Sequence, residues 1–157
     1  MLFHVVSRNH FNQSPETVLN YLTTTTYWPE WHIQSRRVEG TVGRPMQLGD
    51  KVTEYVSLNP RDTENLHVVE WTVVDRWQSR MYRIEGRAVK DGIATDEVFS
   101  AISYVLFPRS DGGTDFTREM NIVGPKDIPH FTEFKKLQDK AVENIKTALD
   151  KRFAPLS

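Results

Sequence analysis

The spacing of hydrophobic positions changes along the chain and divides it into regions of different structure. Leu2 to Val6 is a short apolar run of strand type that gives way to polar Asn9, Asn12 and Gln13. Ser14-Pro15-Glu16 then carries the signals of a helix start. The hydroxyl caps free N–H groups, the fixed φ of proline suits the first turn, and the carboxylate sits at the positive helix end. Val18, Leu19 and Leu22 give that helix a buried side, which predicts a span from about Pro15 to Thr24. Tyr27-Trp28-Pro29-Glu30-Trp31 is too short for a strand and reads as a second helical turn, started by Pro29 and anchored by its tryptophans.

From Ile33 to Val123, β-branched and aromatic residues alternate with turn clusters, predicting strands at about 33–39, 49–58, 66–77, 80–89, 93–107 and 114–123. The breaks fall at Arg44-Pro45, Asn59-Pro60, Gln78-Ser79, Lys90-Asp91-Gly92 and Ser110-Asp111-Gly112. The last two suit three-residue hairpins with a left-handed glycine at the third position. A loop at 90–92 sets Val89 opposite Ile93, Tyr82 opposite Ser100 and Ile84 opposite Val98. A loop at 110–112 sets Ile102 opposite Met120, Tyr104 opposite Arg118 and Leu106 opposite Phe116. Both registers put Tyr82, Ile84, Val98, Ile102, Tyr104, Leu106, Phe116, Met120 and Ile122 on one face, with Arg83, Glu85, Arg87, Glu97, Asp115, Thr117 and Glu119 on the other. Phe99 and Phe107 fall on the charged side.

A last helix is expected from near Asp127 or Ile128 to about Phe153. Its apolar stripe holds Phe131, Phe134, Leu137, Ala141, Val142, Ile145, Ala148, Leu149 and Phe153, with Lys136, Asp139, Lys140, Glu143, Lys146 and Asp150 opposite. At 1.5 Å per residue it is about 35–40 Å long, enough to cross the apolar face of a sheet. The order is β-α-α-β6-α, an α+β arrangement.

That order, with the Ser14-Pro15-Glu16-Thr17-Val18 helix start, the Trp28-Pro29-Glu30-Trp31 turn and Tyr104-Val105-Leu106-Phe107-Pro108 followed by Gly112-Gly113-Thr114, resembles the helix-grip fold of the START-like (SRPBCC) superfamily, in its polyketide cyclase/dehydrase-type branch. The resemblance covers nearly the whole chain. It implies a single domain over residues 1–157, a curved seven-stranded antiparallel sheet wrapped around a long C-terminal helix, and a deep cavity between them for hydrophobic or aromatic ligands. Such a fold hosts lipid carriers, aromatic cyclases and co-chaperones alike, so function has to be argued from the site.

Composition narrows the classes. The chain has 157 residues, 38% hydrophobic, 26% charged and 11% aromatic, as in a soluble globular protein. Twenty Lys and Arg against 21 Asp and Glu leave a formal charge of −1, unlike a dedicated nucleic-acid binder. With no cysteine, disulfides, thiolate metal sites and thiol catalysis are excluded, and a cytoplasmic setting is expected. No run approaches the ~20 apolar residues of a membrane span, and Met1 to Phe11 is too short and polar for a signal peptide. His4, His10, His32, His67 and His130 show no metal-ligand spacing, and phosphate-cradling or nucleophile-elbow motifs are absent, so neither metal nor cofactor is expected. Lys135-Lys136 and Lys151-Arg152 read as solvated helix-face charges.

Arg118 is the most informative position. It lies between Phe116 and Met120 on the apolar face, where a charge needs a partner or water. It serves either as a fork for a ligand carboxylate, phenolate or enolate, or as half of a structural ion pair or a side chain reaching the cavity mouth. Glu54 shares the parity of Val52 and Val56 and is a candidate partner for it. Gln138 interrupts the apolar stripe of the last helix, and Trp71 is expected opposite Gly86, which gives its indole room. The candidate ligand-binding set is Trp71, Tyr82, Ser100, Tyr104, Phe116, Arg118, Met120, Phe134 and Gln138. Trp28 and Trp31 read as anchors of the short helix rather than ligand walls.

Three functions compete. The first is binding of a small hydrophobic or aromatic molecule. The second is an aromatic-cyclase-type enzyme in which Arg118 stabilises an enolate and a tyrosine polarises a carbonyl, with no inward His and no carboxylate of fixed register as base. The third is a protein-interaction module with a collapsed pocket, to which outward Phe99 and Phe107 point, as they also do to a homodimer. The first leads; no nucleic-acid partner and no integral membrane association are expected.

Overall fold

The computed structural model describes residues 2–57, 64–124 and 131–153, the side chain of Phe131 excepted. Ser14 caps α1 (Pro15–Thr23) by accepting the Thr17 N–H at 3.3 Å, with Pro15 in the first turn. A 3-10 turn (Thr25–Tyr27) leads into α2 (Trp28–Trp31), and Trp28 Nε1 donates to Leu22 O at 2.8 Å, tying the two helices together. The strands β1 (Leu2–Phe11), β2 (Ser35–Gly40), β3 (Lys51–Ser57), β4 (Leu66–Trp77), β5 (Met81–Lys90), β6 (Ile93–Pro108) and β7 (Thr114–Val123) form one curved antiparallel sheet in the order β1-β7-β6-β5-β4-β3-β2. A long helix, α3 (Phe131–Arg152), closes over its inner face in the helix-grip manner. No helix among the described residues is long and apolar enough to cross a membrane.

β1 runs to Phe11 rather than stopping at Val6. All ten of its residues pair with β7, and Val5, Ser7 and Phe11 turn inward, so the ladder carries the polar stretch that the hydrophobic pattern ends on. The α3 stripe is buried at Ala141, Val142, Ile145 and Leu149, and the helix docks through Asn144 Nδ2 donating to Trp31 O at 3.1 Å. Arg152 is not a free helix-face charge: it pairs with Glu30 and lies 4.2 Å over the Tyr27 ring, clamping the end of α3 to α2. The expected start of this helix near 127–128, the Asn59-Pro60 break and His130 lie outside the described residues.

The β6–β7 register is as expected: Ile102, Tyr104 and Leu106 face Met120, Arg118 and Phe116. Trp71 does face Gly86, but through two compensating irregularities. The β4–β5 loop has three residues, with Gln78 at φ +50, and a bulge at Val74 restores the alignment. The β5–β6 register differs. Asp91 and Gly92, at φ +51 and +76, make a two-residue turn that pairs Lys90 with Ile93. Bulges between Gly86 and Val89 then set Tyr82 opposite Tyr104, Ile84 opposite Ile102 and Gly86 opposite Ser100. The shift moves Val98 to the Arg87 row and turns Phe99 inward against the core. Phe107 is 60% exposed and is now the one outward aromatic of that pair.

The inner face divides into a solid half and a hollow half. Leu106 and Phe116 pack with Phe11, Val18, Leu19 and Leu22, and Tyr82 stacks on Tyr104 with centroids 5.7 Å apart. The rows beyond, Ile84–Ile102–Met120 and Gly86–Ser100–Ile122, lie toward the cavity beneath the first turns of α3.

Candidate functional site

The cavity has a volume of about 1120 Å³, above the ~300–1,000 Å³ usual for small-molecule sites. Trp28, Trp31, Val69, Trp71, Ile84, Ile102, Met120 and Leu137 supply apolar wall, and His67, Lys90, Val123 and Glu133 are its exposed members.

Arg118 is 2% exposed, and its Nη1 donates to Gln138 Oε1 at 2.6 Å. Across the ladder it faces the Tyr104 phenol. No described carboxylate lies within 4.0 Å of it, so its direct partners are neutral and its charge is not cancelled by a contact pair. Burial holds the Tyr104 phenol above its ordinary value against the opposing effect of the Arg118 charge, so the group stays protonated.

Glu54 is 4% exposed and, as parity indicates, points inward between Val52 and Val56. It is not the contact partner of Arg118. Trp71 Nε1 donates to Glu54 Oε2 at 2.8 Å, and Ser35 lies beside the carboxylate on β2. Burial raises the carboxyl above the ordinary range, while the Ser35 hydroxyl, the Trp71 N–H and the Arg118 charge pull it back in part. Gly86 makes this geometry possible: a Cβ there would sit 2.7 Å from Trp71 Cζ3, so only a bare backbone lets the indole lie flat and reach Glu54.

His32, just after α2, is the residue the sequence pattern does not single out for this site. Its side chain is 13% exposed, and its Nδ1 is 3.8 Å from Glu54 Oε1, too far for a hydrogen bond. Burial first, then the Arg118 charge, push the imidazole down to about 3, so at neutral pH it is uncharged and the contact is not an ion pair. His32 Nδ1, Trp31 Nε1 and Arg118 Nε find no hydrogen-bond partner among the described residues. Three side chains of the cavity wall thus keep polar capacity that the described fold does not use.

Of the nine candidates, Trp71, Tyr104, Arg118, Met120, Phe134 and Gln138 line the cavity. Tyr82, Ser100 and Phe116 do not. Tyr82 is fully buried behind Tyr104 with its hydroxyl 3.7 Å from Met46 Sδ, and Phe116 packs on Phe11 with centroids 5.0 Å apart, so both belong to the solid half. Ser100 is 2% exposed and sits in the ladder between Gly86 and Ile122, outside the cavity lining. Trp28 and Trp31 are both anchors and cavity walls. Among the described residues no three His, Asp or Glu are grouped to hold a metal ion.

The family model for polyketide cyclase/dehydrase and lipid transport proteins matches residues 3–151. Among solved structures, protein MLL2253 from Mesorhizobium loti is similar with 17% identity and a TM-score of 0.68, over 95% of this chain and 98% of that one. Protein CV1439 from Chromobacterium violaceum is similar with 12% identity and a TM-score of 0.68, over 94% and 96%. Ara h 8.0201 has 9% identity and a TM-score of 0.64, over 96% and 99%. At these identities the likeness is one of fold. No curated protein sequence matches the chain.

Proposed function

The chain belongs to the polyketide cyclase/dehydrase and lipid transport family, and from that premise we propose that it binds a small hydrophobic or aromatic molecule carrying an anionic or strongly polar oxygen. The observation that carries this reading is a buried guanidinium in the wall of a large apolar hollow, held by the neutral Gln138 and with no carboxylate of the described residues in contact. Apolar burial supplies affinity at roughly 25 cal/mol per Å². The guanidinium supplies orientation, because a charge-assisted hydrogen bond in an apolar surround is worth about 1.5–3 kcal/mol. An interaction module would have a collapsed pocket, and a hollow of about 1120 Å³ argues against that reading.

Titration of 2-naphthoate against 2-methylnaphthalene, followed by tryptophan fluorescence, tests the proposal. Trp28, Trp31 and Trp71 line the cavity and report its filling. Both probes are expected to bind at one site, and Arg118→Met is expected to weaken the carboxylate about 10- to 100-fold while leaving the hydrocarbon unchanged. Equal loss for both probes, or no binding of either, contradicts it.

A further inference from the structure

An anionic oxygen at Arg118 accounts for one polar side of the cavity and leaves the other, at Glu54 and His32, without a use. A buried carboxylate is costly unless hydrogen bonds hold it. Trp71 Nε1 supplies one, to Glu54 Oε2 at 2.8 Å. The second oxygen, Oε1, faces His32 Nδ1 at 3.8 Å, and that nitrogen has no hydrogen-bond partner among the described residues. The distance is too long for a direct bond, yet it suits a single oxygen bonded to both atoms. Two contacts of about 2.8 Å span it at close to a right angle. Both side chains line the cavity, so this position is open to whatever fills it.

We propose that the hydrophobic acid held at Arg118 also carries a hydroxyl group, which sits between Glu54 and His32, donating to Glu54 Oε1 and accepting from the His32 Nδ1–H. The requirement for both a donor and an acceptor selects the group. A carbonyl or ether oxygen has no hydrogen to give the carboxylate, and a second carboxylate would be repelled by it. An ammonium would share the hollow with Arg118, whose positive charge already acts on both Glu54 and His32. The imidazole is uncharged at neutral pH, so it meets the hydroxyl as a neutral partner and leaves the carboxylate as the stronger acceptor.

The topology separates the two anchors. Glu54 stands on β3 and Arg118 on β7, with three strands between them in the sheet. The ligand's acid and hydroxyl groups therefore lie at different ends of an apolar body, against the tryptophan side of the cavity and the α3 side respectively for the hydroxyl and the acid.

The inference rests on the ligand-binding reading above, and the test separates the two. The probes are 2-naphthoate and its 5-, 6- and 7-hydroxy derivatives, which set the hydroxyl at three positions on the ring remote from the carboxylate, each with its methyl ether. Calorimetric titration is expected to show at least one hydroxynaphthoate binding about 10- to 100-fold more tightly than 2-naphthoate, and its methyl ether losing that gain. In Glu54→Gln and in His32→Phe the gain is expected to shrink to about threefold or less, while affinity for 2-naphthoate itself is retained. If 2-naphthoate binds but no hydroxyl derivative binds more tightly, the inference falls and the binding reading stands. A methyl ether as tight as its parent hydroxyl compound overturns it too, using the wild-type protein alone. So does an equal hydroxyl gain in the wild type and both variants. Failure of every naphthoate and of 2-methylnaphthalene to bind overturns both readings.

Discussion

Buried ionisable side chains set the character of the cavity, and the pH behaviour of His32 and Glu54 follows from where each is held. The folded-state value of His32 lies at about 3, below its ordinary 6.5. Its neutral form is therefore favoured by folding, and this contribution is present above 6.5 and lost as pH falls toward 3, at up to about 1.4 kcal/mol per pH unit. Glu54 works in the opposite sense: its carboxyl is raised, so its contribution is present below the ordinary carboxylate value and lost as pH rises through the folded one. Urea unfolding at a series of pH values is expected to show a shallower loss between 6.5 and 3 for His32→Phe than for the wild type. An identical slope would mean that His32 is not held neutral. Gln138→Glu places a carboxylate where the neutral amide accepts from Arg118. Titration is expected to show affinity for 2-naphthoate falling at least about tenfold, because a contact ion pair satisfies the guanidinium. Strand parity alone put Arg118 and Glu54 inside. It is silent on His32, which lies in a non-periodic connection between α2 and β2, where inward and outward positions do not alternate.

At the scale of elements, the ladders were legible where a turn alone sets the register and obscure where a bulge does. Gly112, at φ +88, supports the three-residue loop that aligns Tyr104 with Arg118, so the β6–β7 pairing follows from turn chemistry. Bulges near Gly86 and at Val74 leave no comparable mark in the sequence, since an extra unpaired residue disturbs neither composition nor local propensity. This is why the sequence pattern alone points Phe99 outward and sets Ser100 opposite Tyr82. The pairing of β4 with β5 carries its own test. Gly86→Ala forces the Trp71 ring off the strand and breaks its 2.8 Å bond to Glu54. Chemical denaturation is expected to show a loss of about 1–3 kcal/mol, accompanied by a shift in tryptophan emission. Unchanged stability and emission would show that the indole does not lie on Gly86.

Across the whole molecule, one continuous apolar face does two jobs. Near α1 it is filled with aromatic and aliphatic side chains. Toward the first turns of α3, where Gln138 and Phe134 replace a fully packing stripe, it stays open around polar groups. The alternation of hydrophobic and polar positions shows which face is inner, but it does not show where facing side chains stop meeting. Tyr82 and Phe116 were therefore as good candidates by sequence as Tyr104, although the structure assigns them to the solid half. Native mass spectrometry of the chain purified from its own host, without denaturant, tests the hollow most directly. The account predicts a one-to-one non-covalent adduct of an apolar molecule, released on addition of 2-naphthoate with the naphthoate taking its place. A bare chain mass both before and after that addition would contradict it.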